Sequence, residues 1–313
     1  MASKFRIAVI GIGGVGGYLG AKLAAKYAGS ADTEIIFIAR GENAAAISLN
    51  GLKLITPQGE ETAQPALVTN QPETLGLVDL IICCVKSYDL ESSLTTLRNC
   101  VSDKTSIIPF LNGLDAAETI KKILPEVQVL EGCAYIISRL IAPGVIKESG
   151  NPPQFNFGTG GDRENAEKIA TIFQAADINA QVSDNISLTL WEKFLFISPF
   201  ATIMSCYDVC LGDILKNKDY KQTLVALMEE LKTIGEAKGI VFPENIIQKF
   251  LDRMAGLPYE STTSMHTDFK NGKKTELSSL TVYVIRLGKE LGIPTPYYEE
   301  MLDGINKRWI KTT

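Results

Sequence analysis

Histidine is almost missing from this chain: among 313 residues there is one, His266. The six cysteines, at positions 83, 84, 100, 133, 206 and 210, contain no CxxC spacing. Cys206 and Cys210 sit four apart, one face of a helix, but a zinc site there needs two further ligands that the sequence hardly offers. No metal is expected, and the cysteines read as buried free thiols of a reducing cytoplasm. No Lys/Arg cluster stands out and the formal net charge is −5, which argues against a nucleic-acid partner. Long uninterrupted apolar runs are lacking too. The stretch after Lys4 and Arg6 resembles a signal peptide in outline, yet glycines at 11, 13, 14, 16, 17 and 20 interrupt it. A signal core or a membrane helix does not carry glycines in that way. The sequence therefore predicts a cytoplasmic protein with no membrane span. Repeats and low-complexity tracts are absent as well.

What is present is an ordinary globular composition, 45% hydrophobic and 21% charged, in a chain long enough for two domains. The first half alternates strand and helix signals. Phe5–Ile10 is a short apolar run, 16–28 reads as a helix, and 34–39, 78–85, 106–111 and 127–134 read as strands. Residues 51–70 look like a hairpin inserted into that series. Such alternation predicts a Rossmann-type, doubly wound parallel sheet, an α/β fold. After about residue 185 strand signals fade. Long helical patterns follow at 186–206, 220–238 and 276–291, broken by Gly and Pro. The expected division is 1–183 for the dinucleotide-binding domain and 184–313 for an all-helical second domain.

Residues 11–16 read Gly11-Ile12-Gly13-Gly14-Val15-Gly16. They follow a predicted strand and open a predicted helix. Gly11 permits the tight turn, Gly13 lets backbone approach a pyrophosphate, and Gly16 lets the helix pack closely on the strand. The helix N-terminus then offers unpaired N–H groups and the positive end of its dipole. At the end of the second strand, where an NAD enzyme usually carries Asp or Glu for the ribose, stands Arg40, with Glu42 just beyond. A guanidinium there suits the 2′-phosphate of NADP, so NADPH is the expected cofactor.

Further motifs run the length of the chain. Val85-Lys86 closes one strand and Leu111-Asn112-Gly113 the next. Trp191-Glu192-Lys193-Phe194-Leu195 opens the helical half. Ser264-Met265 with Asp268, Thr275-Glu276, and Ile293-Pro294-Thr295-Pro296 follow. In order and spacing this set resembles the ketopantoate reductases, which reduce 2-dehydropantoate to pantoate on the route to pantothenate. A 2-oxo acid reductase needs a hydride and a proton for the developing alkoxide. Lactate-type dehydrogenases use a histidine, and His266 lacks their motif context. A lysine can do the same work. The resemblance implies that Lys193 is the general acid. It implies that Glu276 lies near Lys193 and the nicotinamide ribose, holding the ammonium. It also implies that Ser264 binds the substrate carboxylate, that Asn112 touches cofactor and substrate, and that Lys86 lies on the cofactor side. No role for His266 follows from the sequence.

The chain departs from that family where substrate asparagines are expected, four and eight residues after the lysine and before a later glycine. It has Ile197, Ala201 and Leu211 there, and Thr281-Val282 in place of an Asn-Gly. An apolar wall cannot satisfy a buried hydroxyl, so a pocket favouring 2-oxo acids with plain branched tails is expected, unless Asn185, Ser198, Ser261 or Thr281 supplies the contact. Three readings stay open: ketopantoate reductase, a paralogous reductase of another 2-oxo acid, and a non-catalytic NADP-binding sensor. The partner is a small molecule in the first two, and a homodimer is left open.

Overall fold

The computed structural model describes residues 4–309, which divide into two compact units. One takes the residues to Leu111 and Asp115–Ile186. The other takes Asn112–Leu114 and the residues from Ser187 onward.

The first unit begins β1 (Phe5–Ile10), α1 (Gly14–Lys26), β2 (Thr33–Ile38), α2 (Gly41–Asn50), β3 (Leu52–Thr56), β4 (Gly59–Ala63) and β5 (Leu67–Thr69). It continues β6 (Leu80–Cys83), α3 (Leu90–Thr95), β7 (Ser106–Pro109), α4 (Ala116–Ile123), β8 (Gln128–Val129), β9 (Gly132–Ala142), β10 (Val145–Phe157), α5 (Arg163–Ala175) and β11 (Ala180–Val182). Six strands form a parallel sheet in the order β5-β2-β1-β6-β7-β8. This is the doubly wound order, with its switch point between the carboxyl ends of β1 and β6. Alternate residues of β1 serve opposite faces. Ile7 and Val9 join the core under α1, while Ala8 and Ile10 join the core that includes Leu90 and Leu94 of α3 and Ile120 of α4. Burial on both faces explains the near-continuous apolar strands.

A second sheet, β11-β10-β3-β4 with β9 paired to β10, was not expected from the sequence. The 51–70 segment does form the antiparallel hairpin β3–β4, but Leu67–Thr69 leaves it and pairs parallel with β2. The run 127–134 splits at Leu130 and Glu131: Gln128–Val129 edges the parallel sheet and Gly132 starts the long strand β9. Apolar content alone could not separate the two, because both halves are buried.

Helix α1 contacts strands of both sheets. A side chain at Gly20 would meet the Phe37 ring of β2 at 2.9 Å, and one at Gly17 would meet Ile146 of β10 at 2.4 Å. The glycines that weaken this helix in isolation, by about 0.5–1 kcal/mol each, are what let it fit between two apolar surfaces.

The second unit is all-helical: α6 (Ile186–Tyr207), α7 (Leu211–Lys216), α8 (Lys218–Ala237), α9 (Ile246–Ala255), α10 (Ser264–Lys270), α11 (Tyr283–Leu291) and α12 (Pro296–Trp309). A π-helical turn, Ser278–Val282, leads directly into α11. Helix α6 is long and apolar enough by composition to cross a bilayer, and half of its most apolar window is buried within the protein. Its Trp191, Phe194, Leu195, Ile203 and Met204 form the core with Leu227 and Leu231 of α8 and Tyr298 of α12.

Candidate active site

The turn after β1 is built from backbone. Gly11 has φ +87°, and a Cβ there would lie 2.6 Å from the amide nitrogen of Val85. A Cβ on Gly16 would lie 2.3 Å from the carbonyl oxygen of Gly11 and 2.9 Å from Cβ of Cys84. A Cβ on Gly14 would lie 2.1 Å from the carbonyl oxygen of Ser138 on β9. Gly13 differs: nothing lies within 4 Å of such an atom. It is the N-cap of α1, with no side-chain cap and no acidic residue in the first turn. Three of these glycines are therefore required by packing, while the fourth faces open space at the positive end of a helix. That arrangement fits a bound dinucleotide phosphate. Ile12 is buried and Val15 half-buried behind the turn.

Arg40 is the exposed N-cap residue of α2, directly beyond β2. Asn43, one turn into α2, was not singled out from the sequence. Its Nδ2 donates to the Ile12 carbonyl at 2.9 Å, and its Oδ1 accepts from the Gly144 amide at 2.8 Å. It thereby ties the Arg40 segment to the glycine turn. The only available signal was an amide three residues after Arg40. Lys86 is half-buried at the end of the β6 segment. Just before it in the chain, burial pushes the Cys83 thiol up to about 12 and holds the Cys84 thiol well above its usual range. No disulfide is formed among the six cysteines. Cys206 and Cys210 do not share a helix face: α6 ends at Tyr207, and Cys210 caps α7.

The helical unit gathers the remaining candidates from distant positions. Lys193 is half-buried, two turns into α6. Its neighbour Glu192 has a carboxyl raised by burial, which Lys249 partly offsets. Glu276 is 3% exposed and stands where the chain enters the helical run before α11, its carbonyl accepting from the amides of Ser279 and Leu280. Asn112 Nδ2 lies 3.5 Å from Glu276 Oε2, across 164 positions of sequence. Gly113 follows at φ +104°, a conformation that only glycine adopts freely. Ser264 is exposed at the first position of α10.

His266 is 4% exposed. Its Nε2 is 2.8 Å from Asp208 Oδ1 and its Nδ1 is 2.7 Å from Thr262 Oγ1. Of the three positions lacking the family amides, Ala201 and Leu211 are fully buried in the helical core, and Ile197, one turn beyond Lys193, is half-buried. The apolar wall expected from three residues is thus reduced to one. Thr281 and Ser198 are committed elsewhere: Thr281 Oγ1 is 2.7 Å from Thr202 Oγ1, and Ser198 Oγ donates to the Leu280 carbonyl and meets Tyr298 OH at 2.7 Å.

The family profile described as ketopantoate reductase PanE/ApbA matches residues 7–162, and its C-terminal counterpart matches residues 185–308. An uncharacterized oxidoreductase of Bacillus subtilis, YkpB, is 29% identical over 93% of this chain and 94% of its own length. A 2-dehydropantoate 2-reductase of Mesorhizobium japonicum is 28% identical over 95% of both. The crystal structure of 2-dehydropantoate 2-reductase from Porphyromonas gingivalis W83 superimposes with a TM-score of 0.84 at 34% identity, covering 96% of this chain and 99% of that one. Two profiles spanning most of the sequence, on a parallel sheet followed by helices, place the chain in the ketopantoate reductase family of NADPH-dependent oxidoreductases.

Proposed function

We propose that this protein reduces a 2-oxo acid at the expense of NADPH, with 2-dehydropantoate as substrate and pantoate as product. Residues 1–183 serve as the NADP-binding domain and 184–313, with Asn112, as the substrate and catalytic domain. The observation that carries the reading is the approach of Asn112 to the buried carboxylate of Glu276 within the unit that also holds Lys193. Cysteines that form no disulfide are in keeping with a cytoplasmic enzyme.

In this reading Gly11 to Gly16 and the start of α1 hold the pyrophosphate, Arg40 pairs with the 2′-phosphate, and Lys86 and Asn112 flank the nicotinamide side. Bound NADPH supplies the hydride. Lys193 carries a proton at Nζ and delivers it to the carbonyl oxygen as negative charge develops there. Glu276 orients that ammonium, and its burial makes the pairing stronger than at a solvated site. Ser264 Oγ donates to the substrate carboxylate.

A second reading, a 2-oxo acid with a plain branched tail, is favoured by Ile197, which stands one helical turn from Lys193 in place of an amide. NADPH oxidation with ketopantoate and with 2-oxoisovalerate separates the two. A kcat/KM ratio of about tenfold or more for ketopantoate supports the first, because a site that bonds the hydroxyl rejects the analogue lacking it. The reverse ratio supports the second. No oxidation with any 2-oxo acid defeats both.

A further inference from the structure

The loop before Ser264 and the first turn of α10 are held at two places, by the first turn of α7 and by Asp208 just beyond α6, and none of the residues that hold them belongs to the catalytic set. At one place Tyr259 covers α7. Its carbonyl accepts from the Gly212 amide at 2.8 Å, and the Ser261 carbonyl accepts from the Leu211 amide at 2.9 Å. Those two N–H groups open α7 and have no partner within the helix, so the loop supplies what the helix lacks. The Tyr259 hydroxyl donates to Asp213 Oδ1 at 2.7 Å, Lys216 Nζ lies 4.6 Å from the ring centre, and any Cβ on Gly212 would strike the ring. Gly212 is thus explained by the aromatic ring that lies on it.

At the other place is the single histidine. Asp208 has a carboxyl held below its usual range, chiefly by the bond from His266. It is therefore an acceptor only, so Nε2 of His266 donates to it, while Nδ1 shares a hydrogen bond with the Thr262 hydroxyl. Lys270 Nζ lies 3.8 Å from the same carboxylate oxygen. Asp208 adopts φ +56°, which costs a non-glycine residue energy and persists where surrounding contacts demand it. Met265 and His266 point inward and are buried, while Ser264, immediately before them, is exposed. The rotation of α10 about its own axis is therefore fixed by the imidazole, and that rotation sets where the serine hydroxyl is presented.

We propose that His266 and Asp208 are positioning residues for substrate binding: they lock the 257–264 loop and the first turn of α10 onto the end of the catalytic helix, so that Ser264 meets the substrate carboxylate in a fixed place. The proposal rests on the reading of Ser264 given above. It makes the clamp a determinant of affinity for the acid, not of the chemical step.

Steady-state kinetics with a 2-oxo acid and NADPH test it on His266→Ala, Asp208→Ala and the gentler Asp208→Asn, which keeps an acceptor and tolerates the left-handed conformation. In both alanine variants KM for the acid is expected to rise on the order of tenfold, with kcat and the NADPH KM within about twofold of the parent. Asp208→Asn is expected to recover most of that loss. Hydrogen exchange supplies a measure that needs no turnover: amides 259–268 lose protection in the alanine variants, while those of α8 do not. An unchanged KM in folded His266→Ala overturns the proposal, as does a fall in kcat at constant KM. If the parent protein reduces no 2-oxo acid, the Ser264 reading fails first, and equal protection of 259–268 in the parent and His266→Ala then overturns the clamp by itself.

Discussion

The two units assemble their candidate sites from different materials. In the sheet unit the proposed pyrophosphate site is made of main-chain atoms, the amides at the start of α1 and a turn in which Gly11, Gly14 and Gly16 are demanded by neighbours 2.1 to 2.6 Å from any added Cβ, with Arg40 and Lys86 as its proposed side-chain additions. In the helical unit they are side chains, Lys193, Ser264 and Glu276, joined by Asn112, drawn from points far apart in sequence. A backbone site is as rigid as the sheet that makes it and is lost when that packing is disturbed. A side-chain site can change its chemistry while its helices stand. At Gly11, Gly14 and Gly16 cofactor binding should therefore fail together with stability, whereas in the helical unit catalysis should fail without it.

The sharpest test of that contrast is Lys193→Ala. Turnover is expected to fall by roughly a hundredfold or more with NADPH affinity nearly unchanged, as for loss of a general acid. Single-turnover kinetics and cofactor titration measure the two separately. Arginine is not a safe replacement, since its guanidinium holds its proton at working pH. Near-normal turnover in Lys193→Ala removes the lysine from the mechanism.

Within the sheet unit, Gly16→Ala and Gly13→Ala divide packing from binding. The first forces a methyl group against the Gly11 carbonyl and is expected to cost about 1–3 kcal/mol of stability, seen as a lower Tm, with loss of NADPH binding. The second meets no protein atom, so its Tm is expected to match the parent while NADPH affinity falls. An unimpaired cofactor affinity in Gly13→Ala would mean that the open side of the turn is not where phosphate sits. A smaller effect is expected at Arg40. Arg40→Ala should narrow the preference for NADPH over NADH on the order of tenfold, because a charged hydrogen bond contributes about 1.5–3 kcal/mol. Equal affinities in the parent protein refute that role.

The smallest effect concerns Glu148 of β10, which is 4% exposed with Oε1 lacking a hydrogen-bond partner. Burial raises its carboxyl. A carboxyl whose folded pKa lies above its unfolded value adds stability at low pH and loses it as pH rises through the folded pKa. Glu148→Gln is expected to remove that decline, raising Tm by roughly 2 °C at pH 7 and by nothing below the carboxylate range. A Tm gain equal at both pH values would show that packing, not charge, is responsible.

The strands of the parallel sheet were legible because burial on both faces leaves apolar runs, and the phosphate turn because glycine spacing answers to local sterics. The second sheet was not. β9 and β10 form a long ribbon whose far end is exposed, with Ile137 and Ile141 on the surface and Gly150-Asn151-Pro152-Pro153 interrupting its pattern. Neither strand gives a clean alternation. In the helical unit the motifs named the catalytic candidates through resemblance alone, since a lysine on α6 has no periodicity that marks it. The same resemblance cast Ala201 and Leu211 as pocket residues, whereas packing puts both in the core. A position in an alignment does not report which way a helix turns. His266 was opaque because its meaning lies in Asp208, 58 residues earlier, in a backbone conformation that sequence does not announce.

The short excursion Asn112–Leu114 has a consequence for how such a gene can be cut and recombined. The chain changes units after residue 111, again after 114 and finally after 186. A fragment starting at Ser187 would encode every helix from α7 onward and nearly all of α6. It would still omit Leu114, which packs against the helical core, and the amide beside Glu276. A chimera made by a single crossover near 186 would graft one parent's asparagine loop onto another parent's glutamate. The smallest piece of this protein that can be inherited with its carboxylate partner intact is discontinuous in the DNA, and recombination must take residues 112–114 along with the helices to move the site whole.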